Sequence, residues 1–159
     1  MSLAAVSEQS VWAGVDVGGP RKGFHLGVTD GRRLIDHKQA RSAEEAVRTL
    51  RQWQPILVAI DSPRRPALSG KSRPEERCLA KAICGIRYTP NREVIERNPH
   101  YEWIRCGWTL YRLIEREGLD AIECFPTASW TVWGRRRSGT RARWSAGLLR
   151  ASLLFGAEL

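Results

Sequence analysis

Three short stretches near the start of the chain alternate apolar and polar positions with a period of two. Residues 11–17 (Val-Trp-Ala-Gly-Val-Asp-Val) mix small and β-branched side chains and halt at Gly18-Gly19-Pro20, which predicts a strand with a hard stop. Residues 23–29 predict a second strand, with Asp30-Gly31 as the hairpin turn. Residues 33–40 alternate less regularly and predict a third. The period then changes. Ser42-Ala-Glu-Glu45 has the spacing of a capping box, and Ala43, Ala46, Val47, Leu50 and Trp53 fall on one helical stripe that Pro55 ends. Residues 56–61 form a short, continuously apolar run, the pattern of a strand covered on both faces.

Beyond residue 62 the pattern predicts mostly helix. Ser72-Arg-Pro-Glu75 reads as a second capping box leading into Leu79, Ala80 and Ile83, with a stop at Gly85. Asn98-Pro99 opens a longer helix carrying Tyr101, Ile104, Trp108, Tyr111 and Ile114, closed by Gly118. Residues 120–133 contain another strand, 134–140 form a polar arginine loop, and Ser145 is positioned to cap a last helix with Leu148, Leu149, Leu153 and Leu154. No repeat or linker divides the chain. One domain over residues 11–159 is expected, preceded by a polar, disordered leader over 1–10. The order is three antiparallel strands, a crossover helix, a parallel strand, a helical insertion, another strand and a helix. This is an α/β mixed sheet with flanking helices, in the order of the ribonuclease H-like fold.

Composition adds a partner. A chain of 159 residues with 42% hydrophobic content and seven Trp can bury a real core, which excludes wholesale disorder. The formal charge of +9 favours an anionic partner, nucleic acid being the commonest. Of the 26 basic residues only Lys22, Lys38, Lys71 and Lys81 are lysine, and arginine forks onto phosphates and stacks on bases. High arginine usage on a solvated surface explains the scattered ones equally well. Cys78, Cys84, Cys106 and Cys124 lack the spacing of a zinc site and read as reduced thiols of an intracellular protein. With no signal peptide in residues 1–10 and no run long enough to cross a bilayer, a cytoplasmic protein is expected. The oligomeric state stays open.

Three acids stand out because each sits in an apolar, strand-like run followed by a basic loop: Asp16, Asp61 and Glu123. A carboxylate beside a buried strand is costly unless a cation or hydrogen-bond donors pair with it. The basic followers are Arg21 and Lys22; Arg64, Arg65, Lys71, Arg73 and Arg77; and Arg135, Arg136, Arg137, Arg141 and Arg143. Parallel strands would gather the acids at one sheet edge, ringed by guanidinium groups, an arrangement suited to a divalent metal holding a phosphodiester. Each acid has a plainer reading. Asp16 before Val-Gly-Gly could cap a turn, and Asp61-Ser-Pro could end a strand. Glu123 is harder to place without a partner. Asp120 reads as a strand-opening residue, and Glu45 and Glu75 as capping partners, though Glu75 or Glu76 remains a candidate for a further carboxylate. His25, His37 and His100 have no Cys or Ser placed for nucleophilic catalysis. Trp103 and Trp108 read as core residues. Trp130, Trp133 and Trp144 bracket the arginine loop, where an exposed ring could stack on a base.

Five blocks resemble one bacterial and archaeal family: Gly14-Val-Asp16-Val-Gly-Gly, Ala59-Ile-Asp61-Ser-Pro63, Cys84-Gly-Ile-Arg-Tyr-Thr-Pro90, Tyr101-Glu-Trp-Ile104 and Ile122-Glu-Cys-Phe-Pro-Thr-Ala-Ser-Trp130. That family is the predicted ribonuclease H-like nucleases, a domain family of unknown function, and the resemblance spans roughly residues 11–144. It implies Asp16 as the metal-bridging carboxylate of the first strand, Asp61 as the one closing the fourth, and Glu123 as a third ligand on the fifth. Magnesium or manganese suits such hard oxygen ligands. The family pattern also carries an Asp on a C-terminal helix. Here Glu158 is the only acid after Glu123, so another residue substitutes, the chain continues beyond Leu159, or the site is incomplete.

Three functions follow. The first is a metal-dependent nuclease using Asp16, Asp61 and Glu123 as ligands, with Arg21, Lys22, Arg64, Arg65, Arg73, Arg135, Arg136 and Arg137 binding DNA or RNA. The second is a nucleic-acid-binding protein that kept the fold without catalysis. The third, an actin-like phosphotransferase, needs two duplicated domains, and the chain is too short for them.

Overall fold

The computed structural model of the protein describes residues 10–83 and 85–132. Strand β1 (Trp12–Val17) pairs antiparallel with β2 (Phe24–Thr29), and β2 pairs antiparallel with β3 (Leu34–Ala40). Helix α1 (Ala43–Trp53) crosses back so that β4 (Leu57–Asp61) runs parallel to β1. Far along the chain, β5 (Ala121–Glu123) adds parallel to β4, giving the order β3-β2-β1-β4-β5. Three antiparallel strands followed by parallel ones is the layout expected from the periodicity.

Local chemistry explains the turns. Between β1 and β2, the Gly18 N–H donates to the Gly23 carbonyl and the Gly23 N–H to that of Gly19, both at 2.8 Å. Gly23 has φ +68°, and a Cβ there would lie 2.2 Å from the Ala40 carbonyl oxygen, so only glycine fits. Between β2 and β3, Asp30 Oδ1 accepts from the N–H groups of Arg32 and Arg33, an Asx-type turn. The capping expectation for α1 holds: Ser42 Oγ accepts from the Glu45 N–H, while the Glu45 carboxylate reaches back to the Arg41 N–H.

One face of the sheet carries the core. Ala13, Val15, Val17, Phe24, Leu26, Val58 and Ile60 pack against α1 through Ala46, Val47 and Leu50. They also meet α4 (Glu102–Arg116) through Leu110, Tyr111 and Ile114. Complete burial of each large side chain stabilises by about 1.5–3 kcal/mol. The opposite face is different. Residues 56–61 were expected to be covered on both sides, yet Val58 and Ile60 are fully buried while Ala59 and Asp61 stay partly open among the described residues. The small and polar side chains of that second face offer little apolar surface to bury.

The helical stretch departs from the sequence expectation in three places. Helix α2 (Pro74–Ala82) begins one residue later than the Ser72-Glu75 box predicts, because Pro74 takes the first helical position and Glu76 accepts from the Arg73 N–H. A short helix, α3 (Arg92–Arg97), follows Asn91, whose Oδ1 accepts from the Val94 N–H; six residues are too few to show a stripe in the sequence. Asn98-Pro99 opens a single 3-10 turn (Pro99–Tyr101) before α4, which ends near Gly118 at φ +69°. The strand predicted within 120–133 shrinks to β5, since Pro126 starts helix α5 (Pro126–Val132). The arginine loop and the leucine-rich helix expected after it, with Trp133 and Trp144, lie outside the described residues, as does Cys84.

Helix α4 approaches the end of β4 closely at Gly107, where an added Cβ would stand 2.1 Å from Ser62 Oγ and 2.7 Å from Ser62 Cβ. Gly107→Ala should therefore destabilise by about 1–3 kcal/mol, read as a lowered urea midpoint with an unchanged slope. Among the described residues, no helix is long and apolar enough to cross a membrane.

Candidate metal centre

The strand registers decide which polar groups meet. Asp16 on β1 is the direct partner of Asp61 on the parallel β4, one strand spacing away, about 4.8 Å. On its other side Asp16 faces His25 of β2, and His25 faces Gln39 of β3. On β5, Glu123 is level with Ile60, so Cys124 is level with Asp61. One row thus runs across the sheet: Gln39, His25, Asp16, Asp61, Cys124. All five line a hollow of about 720 Å³ on the open face, floored by Gly14, Gly27 and Ala59.

Two carboxylates held side by side on neighbouring strands repel each other, and a cation relieves that cost. Cys124 reports the field. Burial first, then the negative charges of Asp61, Glu123 and Asp16, push its thiol up to about 12. It therefore stays protonated at neutral and mildly alkaline pH, where thiolate is the reactive form. Peptide-resolved alkylation with iodoacetamide at about pH 8 should modify exposed Cys78 at least roughly tenfold faster than Cys124.

Glu123 does not join the pair. Level with Ile60, it points to the helix-packed face of the sheet, because adjacent residues of a strand alternate faces. There Arg73 grips it with both terminal nitrogens, and the Arg64 N–H donates to Glu123 Oε2 at 2.9 Å. The expectation of Glu123 as a third ligand is corrected on this geometry: it is a carboxylate already matched by a guanidinium.

Arg73 is corrected with it. Its side chain is 7% exposed and lies between Glu123 and Glu76, so it has no surface to offer a substrate. Burial alone would lower its pKa, but the bonds and charges of Glu123 and Glu76 outweigh that and hold the guanidinium firmly protonated. Glu76, 6% exposed, also accepts from the Thr89 N–H and hydroxyl. Glu75 pairs with Arg65. Neither glutamate is the sought-after further carboxylate. Arg64 leans over the Tyr111 ring and binds Glu115 and the Ala121 carbonyl, on the helix side of the sheet. Of the expected substrate-binding residues, Arg21 and Lys22 are exposed on the loop that follows β1, at the Asp16 end of the sheet. Arg135, Arg136 and Arg137 lie outside the described residues.

Among the described residues, no group of three or more His, Cys, Asp or Glu side chains is placed to hold a metal ion. What remains is the Asp16–Asp61 pair. Magnesium commonly binds through one or two carboxylates, with waters and substrate phosphates completing its shell, so a hard-oxygen pair on an open face fits that ion. His25, Gln39 and Cys124 are site residues that sequence reading passed over. Their signal was the two-residue alternation of β2, of β3 and of the run that ends β5, which names a face only once the pairing register is known.

No family model matches the chain, and no curated protein matches it. Among solved structures, RuvC from Thermus thermophilus superposes with a TM-score of 0.50 at 14% sequence identity, over 94% of this chain and 82% of that one. A likeness at that identity is one of fold. Together with the strand order and directions, it makes this a ribonuclease H-like α/β domain.

Proposed function

We propose that the protein is a metal-dependent nuclease whose ion is held by Asp16 and Asp61. The observation that carries this reading is the register that sets those two carboxylates side by side at the ends of β1 and β4, on the sheet's open face. Bound there, magnesium or manganese supplies a Lewis acid that lowers the pKa of water and stabilises a leaving oxygen. The protein's own part is to hold and orient. Asp16 and Asp61 present hard oxygens, His25 stands beside them in the same row, Gln39 Nε2 donates to the Lys22 carbonyl and so braces that loop, and Arg21 and Lys22 draw phosphates toward that end. The net charge of +9 supplies sequence-independent affinity for DNA or RNA.

Incubation of the full chain with single-stranded, duplex, hybrid and branched DNA and RNA tests the proposal. Phosphodiester cleavage is expected with Mg2+ or Mn2+ and none in EDTA; cleavage that ignores EDTA would reject the metal site. A second reading, a nucleic-acid-binding protein without catalysis, is favoured by the lack, among the described residues, of a group of three or more metal-ligating side chains. It predicts salt-sensitive binding with no cleavage of any of these substrates in either metal.

A further inference from the structure

Among the described residues, strand β3 pairs only with β2, and its other edge is open. Which backbone groups face that edge can be read from two contacts. The Ala40 carbonyl turns inward toward β2, since it sits where a Cβ of Gly23 would fall. The His37 N–H turns outward: it donates to the side chain of its own neighbour, Asp36 Oδ1, at 2.8 Å, rather than to β2. Alternation along an antiparallel ladder then gives the outward edge to His37 and Gln39, with Ile35 next, where the pairing shifts at a bulge. Every residue of β3 from Leu34 to Gln39 is at least partly exposed, and Ile35 is 50% exposed.

The side chains along this edge are self-complementary. If a second β3 runs antiparallel with His37 opposite His37, then Asp36 stands opposite Lys38 of the other copy, twice, on the helix-packed face. Both side chains are already held on that face: Asp36 accepts from Trp53 Nε1 and lies 3.9 Å from Lys38 of its own chain, and Lys38 lies over the Trp53 ring, so the pairing between copies exchanges one Lys38 for another. At the central pair the His37 N–H passes from Asp36 Oδ1 of its own chain to the His37 carbonyl of the other, and Ile35 and Gln39 exchange backbone bonds on either side. Opposite charges directly across a strand pair favour it, and like charges disfavour it.

We infer that the protein forms a two-fold dimer by edge-to-edge pairing of β3, centred on His37, which joins two five-stranded sheets into one of ten. The two-fold axis is perpendicular to the sheet, so both open faces look the same way. Across the sheet the middles of the two Asp16–Asp61 pairs are six strand spacings apart, roughly 29 Å. The inference does not depend on the nuclease reading, since it rests on the edge alone.

Sedimentation equilibrium of the full chain, in salt near physiological, tests it. The expected mass is that of two 18.0 kDa chains at tens of micromolar protein. Lys38→Glu and Asp36→Lys should each weaken self-association by about tenfold or more, because each sets like charges opposite one another. Mixing the two variants should restore association as a heterodimer. His37→Pro guards against misfolding as the explanation. Its N–H faces outward, so proline there leaves the β2–β3 ladder intact, and a monomer that melts like wild type diluted below its association range is expected. A wild-type monomer at the highest attainable concentration would overturn the inference, as would self-association indifferent to all three substitutions.

Discussion

Replacing Asp16 by Asn should lower metal-dependent cleavage by about a thousandfold while leaving the fold intact. The substitution keeps size and shape and removes one charge. The loss in rate follows from the metal's contribution: several kcal/mol of transition-state stabilisation, about 4 kcal/mol, is roughly three powers of ten. The fold should hold because the residue level with Asp61 keeps its size and shape, an amide standing in place of a carboxylate. A third readout separates metal binding from substrate binding. Saturating Mg2+ or Mn2+ should raise the melting temperature of the wild type, and that rise should vanish in Asp16→Asn. Equal cleavage by the variant, or an undiminished thermal response to metal, would remove Asp16 from the site.

Arg73→Met is expected to destabilise the protein strongly. The guanidinium is the counter-charge for Glu76, itself 6% exposed, and for Glu123. Removing one partner of a buried ion pair costs about 3–5 kcal/mol, since the other is left charged and desolvated. For a domain of this size that is on the order of 10 °C in melting temperature. The damage should be local before it is global. Helix α2 buries a single residue, Glu76, so the ion network rather than apolar packing holds it. Hydrogen exchange should show residues 74–91 losing protection first, with the sheet following. Cleavage per folded molecule should survive at low temperature, because Arg73 and the Asp16–Asp61 pair lie on opposite faces. A large rise in KM with an unchanged melting temperature would instead make Arg73 a substrate contact.

The two carboxylates and the two corrections come from the same rule applied with different information. Asp16 and Asp61 could be read as strand-end acids because each closes a strong apolar run, β-branched and small, that is a strand in almost any context. Glu123 also closes an apolar run, and its strand is also where expected. What differed was parity: β5 meets β4 with Glu123 level with Ile60 rather than with Asp61, and one residue of offset moves a side chain from the open face to the packed one. The arginines show the same limit. Arg64, Arg65 and Arg73 look alike in the sequence as a basic cluster, yet each meets a different glutamate in space: Glu115, Glu75 and the Glu76–Glu123 pair. Those partners are up to 51 residues away along the chain.

By itself, then, the sequence determined the elements and their order: periodicity, turn residues and caps are local quantities, settled within a few residues by backbone sterics and short-range hydrogen bonds. It determined the sign of the charge and the two acids at strand ends. Only the tertiary structure decided that His25, Gln39 and Cys124 share a row with those acids, that Glu123 belongs to Arg73, and that β3 keeps an open, self-complementary edge. Each of these depends on the register between strands distant in the chain. Register is chosen by the packing of a whole face against α1 and α4, which no short window of residues contains.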